Sequence, residues 1–191
     1  MSLYIMANPG FSYFSEQRLS SAGIQHVFVS TGDRDIIKVV EYTYVQPFLQ
    51  KDLYNLGFGD YDAETDQLLD ESTSNNGDQY RVFNTVLNTI PDFFSHFPTA
   101  MVAVQGSDSH PDFIARCQSA CVRNCGPRPC RNAHRRIRIY RRYIEENHEA
   151  LTAEYDFHGG FLKNDNQIVI EKFIVGSPYT TVLVSKKMLP L

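Results

Sequence analysis

The chain has no tryptophan, no cysteine outside one fourteen-residue window, and no Asp or Glu between positions 113 and 144. It also has no run of roughly 18 apolar residues, which excludes a helical membrane span. The opening residues, MSLYIMANPGFSYF, carry neither a basic start nor a sustained apolar stretch, so no secretory signal is read there. The expectation is a soluble cytoplasmic protein whose thiols stay reduced. Familiar catalytic signatures are missing too: no nucleophile elbow, no Walker loop and no paired zinc-histidine motif occurs. Gly57-x-Gly59 lies in a strand-like run without a following helix, so it is no nucleotide fingerprint. The reading leans away from an enzyme, with a site assembled only in three dimensions left open.

What is present argues for a folded globule. Of 191 residues, 42% are hydrophobic and 13% aromatic, well above a disordered composition. One α+β domain across 1–191 is expected. Residues 1–25 read as a lead-in with one short helix. Strand-like runs follow at 26–30, 36–45 and 53–60, with a short strand at 67–69. The second and third of these runs suit an antiparallel pair. Asp78 sits where a helix N-cap belongs, and Val82, Phe83, Val86, Leu87, Ile90, Phe93, Phe94 and Phe97 then recur at helical spacing. Pro91 should kink or restart that helix, and Pro98 ends it. A short strand at 100–104 and a helix over 111–124 come next. The corner Gly126-Pro127-Arg128-Pro129 follows, then one long helix over 130–154 with Ile137, Tyr140, Ile144 and Leu151 on one side. Strands close the chain at 155–161, 168–173 and 180–185, with Asn164-Asp165-Asn166 as a hairpin turn. The fold class is α+β: a curved antiparallel sheet with helices packed on one face, plus a Cys/Arg-rich helical insertion and long helix across 108–154.

Several segments form one pattern: Phe28-Val29-Ser30-Thr31-Gly32, Asp35-Ile36-Ile37-Lys38-Val39-Val40-Glu41-Tyr42 and Tyr54-Asn55-Leu56-Gly57-Phe58-Gly59-Asp60. Ser74-Asn75-Asn76-Gly77-Asp78, Gln105-Gly106-Ser107 and Arg135-Arg136-Ile137-Arg138-Ile139-Tyr140 continue it. The pattern resembles an uncharacterised family of small bacterial proteins, common in Bacteroidetes and described as a domain of unknown function, over about residues 26–187. That resemblance implies a bacterial source and a fold, but no activity and no catalytic residues. Against the typical member, residues 108–133 look like an insertion. The element order of 26–97 has a looser similarity to Whirly and PUR-type single-stranded nucleic-acid-binding domains, which implies fold alone.

The cysteines read Cys117-x3-Cys121-x3-Cys125-x4-Cys130-x3-His134. The Cys-x2-Cys knuckle is absent; what stands instead is two i,i+4 pairs, Cys117/Cys121 and Cys130/His134, each on one face of a helix. On one continuous helix Cys117 and Cys125 would lie roughly 12 Å apart, too far for one ion with Zn–S bonds near roughly 2.3 Å. A metal therefore requires the helix to break, and the Gly/Pro corner supplies the break. A structural Zn²⁺ held by four cysteines ranks first, with His134 replacing Cys125 or Cys130 second. Disulfides and plain buried thiols remain alternatives, and an iron–sulfur cluster fits the spacing poorly.

Nine arginines fall within 113–144, leaving nine basic against 22 acidic residues for the rest of a chain of net charge −4. So low a total excludes wholesale polybasic binding and points to a local patch. Arg131, Arg135, Arg138 and Arg142 recur at i, i+4, i+7 and i+11, one stripe of a helix, with Arg123 and Arg128 beside the cysteines. Guanidinium forks at that spacing suit phosphates, so nucleic acid or another polyanion is the expected partner. An acidic protein surface, or a second copy of the chain, would answer the same charge split.

Overall fold

A computed structural model of the chain describes residues 11–20, 23–65, 67–69, 76–119, 125, 130–162 and 168–188. Among the described residues there are nine strands and four α-helices, in the order β1 (Glu16–Ser20), β2 (Gly23–Thr31), β3 (Asp35–Phe48), β4 (Lys51–Asp62), β5 (Gln67–Leu69), α1 (Gln79–His96), β6 (Met101–Gln105), α2 (Pro111–Ser119), α3 (Arg135–Glu146), α4 (His148–Leu151), β7 (Tyr155–Leu162), β8 (Ile168–Lys172) and β9 (Thr181–Lys186). The strands form one sheet in the order β1-β2-β3-β4-β6-β9-β7-β8, with β5 paired to β4. The α+β class holds, and the sheet is mostly antiparallel. It is not wholly so: β4 and β6 run parallel, from Leu53↔Met101 to Leu56↔Val104. Parallel neighbours need a long crossover, and α1 is that crossover.

The helix-facing side of the sheet follows from alternation. Ile24, His26, Phe28 and Ser30 of β2 are buried, and the register sets them opposite Tyr42, Val40, Lys38 and Ile36 of β3. β3 sets Tyr42, Val40 and Lys38 opposite Leu56, Phe58 and Asp60 of β4. α1 lies over this face because its apolar stripe recurs at helical spacing. Phe93 is wholly buried, stacked on Tyr42 with ring centroids 4.4 Å apart and meeting Tyr54 edge-on at 5.1 Å. Burying each such ring stabilises the fold by about 1.5–3 kcal/mol. α1 continues through Pro91 to His96 without restarting, forgoing only the bond Pro91 cannot donate. α3 joins the same core, bringing Tyr140 and Tyr143 against Phe83 of α1, and its Ile137 is fully buried.

Asp78 stands at the N-cap position of α1, but its carboxylate makes no cap bond. It accepts instead from the hydroxyls of Tyr13, at 2.7 Å, and Ser30, at 2.5 Å. Asn76 donates to Ser30 Oγ and to the Arg34 carbonyl and accepts the Arg34 N–H. This polar cluster staples the β2–β3 turn to the start of α1. Burial pushes the Asp78 carboxyl up, but the Ser30 and Tyr13 hydroxyls, a backbone N–H and the Lys38 charge together more than offset it and hold it below the usual carboxylate range.

Three segments depart from expectation. The lead-in contains the edge strand β1, where Ser20↔Gly23 closes a hairpin onto β2; the short helix expected within 1–25 is not formed over Glu16–Ser20, and residues 1–10 lie outside the described residues. The helix at 111–124 is described only as far as Ser119. The long helix over 130–154 is not continuous. Residues 131–134 form a turn, His134 adopts a left-handed φ of 59°, and Asn147 separates α3 from α4. Arg131 therefore precedes the helix, and Cys130 lies just before that turn and His134 at its end instead of stacking on one helical face. The expected Asn164-Asp165-Asn166 hairpin and the 126–129 corner lie outside the described residues.

Candidate anion-binding site

The chemistry gathers where the parallel pair ends. Beyond β6 the chain passes Gly106 and a single 3-10 turn, Ser107–Ser109, before α2. A Cβ on Gly106 would lie 2.5 Å from Asp108 Oδ1 and 3.1 Å from both Arg136 Cβ and the Ile137 nitrogen. Only glycine lets the first turn of α3 come so near. Asp108 holds that turn in place: its Oδ2 accepts the Arg135 and Arg136 N–H groups at 2.8 and 3.0 Å, and its carbonyl accepts the His134 N–H at 3.1 Å. It acts as an N-cap supplied from a distant part of the chain. The cost is visible, for Asp108 Oδ1 is buried with no hydrogen-bond partner.

Between this turn, the edge of β4 and helices α2 and α3 lies a pocket of about 370 Å³. Arg116 reaches it from α2 and Arg136 from α3, with Arg136 Nη1 donating to Ser107 Oγ at 2.8 Å. His110 and Asp112 stand at the same rim, where His110 Nδ1 accepts the Asp112 N–H at 3.3 Å. Phe58, Phe113, Val104 and Tyr140 supply the apolar walls. Burial pushes the Tyr140 hydroxyl up to about 12, with nearby Arg136 acting against the rise, so it stays protonated at neutral pH. Gly57 and Phe58 of β4 lie between the stretch paired with β6 and the stretch paired with β5. Along that edge β4 meets no strand among the described residues, and one residue of every two points its peptide N–H and C=O there.

The arginines of α3 divide by direction. Arg135, Arg138 and Arg142 are exposed, and Arg131 is exposed in the preceding turn. Arg138 is aimed by bonds from its guanidinium to the carbonyls of His134, at 3.1 Å, and Ala133, at 3.4 Å. Arg142 donates to Glu146 at 2.7 Å, and that carboxylate raises its pKa further. Arg141 turns inward to the Tyr179 carbonyl at 3.2 Å, its buried Nε left without a partner. Arg123 and Arg128 lie outside the described residues.

Of the thiols, Cys117 on α2 and buried Cys130 meet with their sulfurs 3.2 Å apart, and Asn132 Nδ2 donates to Cys117 Sγ at 3.3 Å. Cys125 is buried, while Cys121 lies outside the described residues. Among the described residues no three His, Cys, Asp or Glu side chains are gathered closely enough to hold a metal ion. His134 Nδ1 is buried with no hydrogen-bond partner.

Sequence reasoning set Arg131, Arg135, Arg138 and Arg142 on one helical stripe, of which the last three lie exposed on α3 and Arg131 precedes it; it missed the pairing of Arg136 with Ser107 and the placing of Arg116 beside them in the pocket lining. One signal was available. Arg136 precedes Tyr140 and Tyr143 by four and seven residues, so it shares the helix face that packs inward.

Fold and pocket together define an α+β domain on a large, mostly antiparallel sheet, with a ligand-sized cleft at the carboxyl ends of its parallel pair, where ligands of open α/β sheets often lie. Residues 12–112 match the model of a family of unknown function (DUF6934), and the chain belongs to that family. The matched span runs through β6 to His110 and Asp112 at the pocket rim. The thiols, α3 and β7–β9 lie beyond it. No curated protein and no solved structure shows a significant match to the chain.

Proposed function

We propose that this chain is a nucleic-acid-binding domain, with the outward side of α3 as the surface that meets the phosphates. The observation that carries this reading is the exposure of Arg135, Arg138 and Arg142 on α3 and Arg131 just before it, in a segment with no acidic residue until Glu145. Arg138 is already aimed by two carbonyls, so less side-chain freedom is lost when it meets a phosphate. Arg142 has a carboxylate partner in Glu146, and an exposed pair of that kind exchanges readily for a phosphate.

Within the same proposal, Cys117, Cys121, Cys125 and Cys130 hold a structural Zn²⁺, with His134 as the replacement for Cys125 or Cys130. Supporting it, the Cys117 and Cys130 sulfurs approach to 3.2 Å, close to the roughly 3.7 Å that separates two thiolates on one tetrahedral zinc. Such an ion would pin α2 to the turn that starts α3.

The test is fluorescence anisotropy of labelled single- and double-stranded oligonucleotides at low salt. Saturable binding to at least one is expected. No binding to either overturns the reading, and selective binding of an acidic protein surface would replace it.

A further inference from the structure

We propose that two copies of this chain join β1 to β1 as an antiparallel pair, forming one continuous sheet about a two-fold axis at Gln17. The surface uses none of the arginines of α3, so it stands or falls apart from the nucleic-acid reading above.

β1 ends the sheet order, and among the described residues no strand pairs with its outer side. One residue of every two in such a strand points its peptide N–H and C=O outward, a template for a further strand. Edges are ordinarily blunted by a proline, a lysine or a bulge. β1 reads Glu16-Gln17-Arg18-Leu19-Ser20, with neither proline nor lysine, and its register with β2 runs unbroken from Glu16↔Val27 to Ser20↔Gly23. Large apolar side chains stand beside this edge, for Leu19 is 68% exposed and Phe14 86%.

Charge selects both the partner and the register. Glu16 and Arg18 are exposed on one face of the strand, with Arg18 Nη2 3.8 Å from Glu16 Oε2. Their neighbours on β2, Val27 and Gln25, alternate with buried Ile24 and His26, so both charges lie on the face away from α1. Pairing centred on Gln17 sets Glu16 opposite Arg18 of the second copy, and Arg18 opposite its Glu16. Opposite charges directly across a strand pair attract. Symmetric registers shifted by two residues either way set Glu16 against Glu16 or Arg18 against Arg18, and like charges there repel. The centred register also brings Leu19 opposite Ser15 and Phe14 opposite Ser20, so the apolar side chains flank the new pair. At the axis, Gln17 Nε2 lies 2.9 Å from His96 Nε2, which holds that side chain to its own α1. The edge is thus complementary to itself, as the interface of a two-fold dimer must be.

The experiment is sedimentation velocity of the full chain over a dilution series, where a species of twice the chain mass is expected at the concentrated end. Arg18→Glu gathers four carboxylates at the junction and should weaken dimerisation about tenfold or more, with the circular dichroism spectrum unchanged. Glu16→Arg with Arg18→Glu in one chain restores the alternation and should return the dimerisation constant to within about threefold of wild type. Mixing Arg18→Glu chains with Glu16→Arg chains should give mixed dimers tighter than either variant forms alone, which an ion pair within one strand cannot produce. A monomer at every concentration up to millimolar overturns the proposal. Wild-type dimerisation in Arg18→Glu, or no gain on mixing, does so too.

Discussion

Replacing Asp108 by alanine should unfasten the start of α3, and the size of the effect can be worked from its contacts. Two backbone N–H groups, at 2.8 and 3.0 Å, lose a carboxylate acceptor. A lost N-cap costs about 0.5–2 kcal/mol, and a hydrogen bond to a charged group about 1.5–3 kcal/mol. Against this, the substitution relieves Asp108 Oδ1 of a burial without a partner, an offset of about 1 kcal/mol or more. The net destabilisation should be about 2 kcal/mol. In a domain of this length each kcal/mol moves Tm by about 2–4 °C, so Tm should fall by about 4–8 °C. Asp108→Asn keeps an acceptor oxygen and loses the charge, so about half that drop is expected. Urea unfolding followed by circular dichroism checks both variants, with the midpoint moving and the slope unchanged. Alanine at this position with wild-type stability would refute the clamp and, with it, the fixed placing of Arg136 in the pocket.

Two further outcomes follow from the same structure. Asp78 has a folded-state pKa below the ordinary 3.8, so its contribution is complete above about pH 5 and is lost as pH falls through 3.8 toward the folded value. Asp78→Asn should therefore be less stable than wild type at neutral pH, with the gap narrowing in urea titrations as pH falls below 3.8; parallel curves would contradict the hydroxyl network. Elemental analysis of purified protein should find about one zinc per chain, lowered by Cys117→Ser. Reduced thiols with no metal would remove the zinc reading.

The parts of this fold that announced themselves were those whose burial leaves a periodic trace. β3 and β4 were visible as β-branched and aromatic runs, and α1 as an apolar stripe from Val82 to Phe94. β1 left no such trace, because an edge strand with exposed Gln17, Arg18 and Leu19 has no buried face to alternate. The β3–β4 turn at Leu49 and Gln50 was equally silent: both adopt positive φ, at 48° and 62°, without the Asn-Gly or Asp-Gly that usually marks it. α3 and α4 read as one helix since Ile137, Tyr140, Ile144 and Leu151 keep one phase. The break at Asn147, whose side-chain amide donates to the Tyr143 carbonyl at 2.8 Å, adds no apolar signal. The parallel pairing of β4 with β6 depends on a crossover, and nothing local encodes it. The pocket was hidden for a similar reason: Arg116 and Arg136 are ordinary members of an arginine-rich stretch until Gly106 and Asp108 draw α3 against the end of β6.

The salt dependence of oligonucleotide binding tests the central claim, that outward guanidinium groups of α3 meet phosphates, most directly. Between roughly 50 and 200 mM salt, log K against log [salt] should fall with a slope of about −2 to −3 for a single strand meeting three or four phosphates. Arg135→Gln with Arg138→Gln should make that slope shallower by about 1.4. A slope near zero, or one unchanged in the double variant, would contradict it.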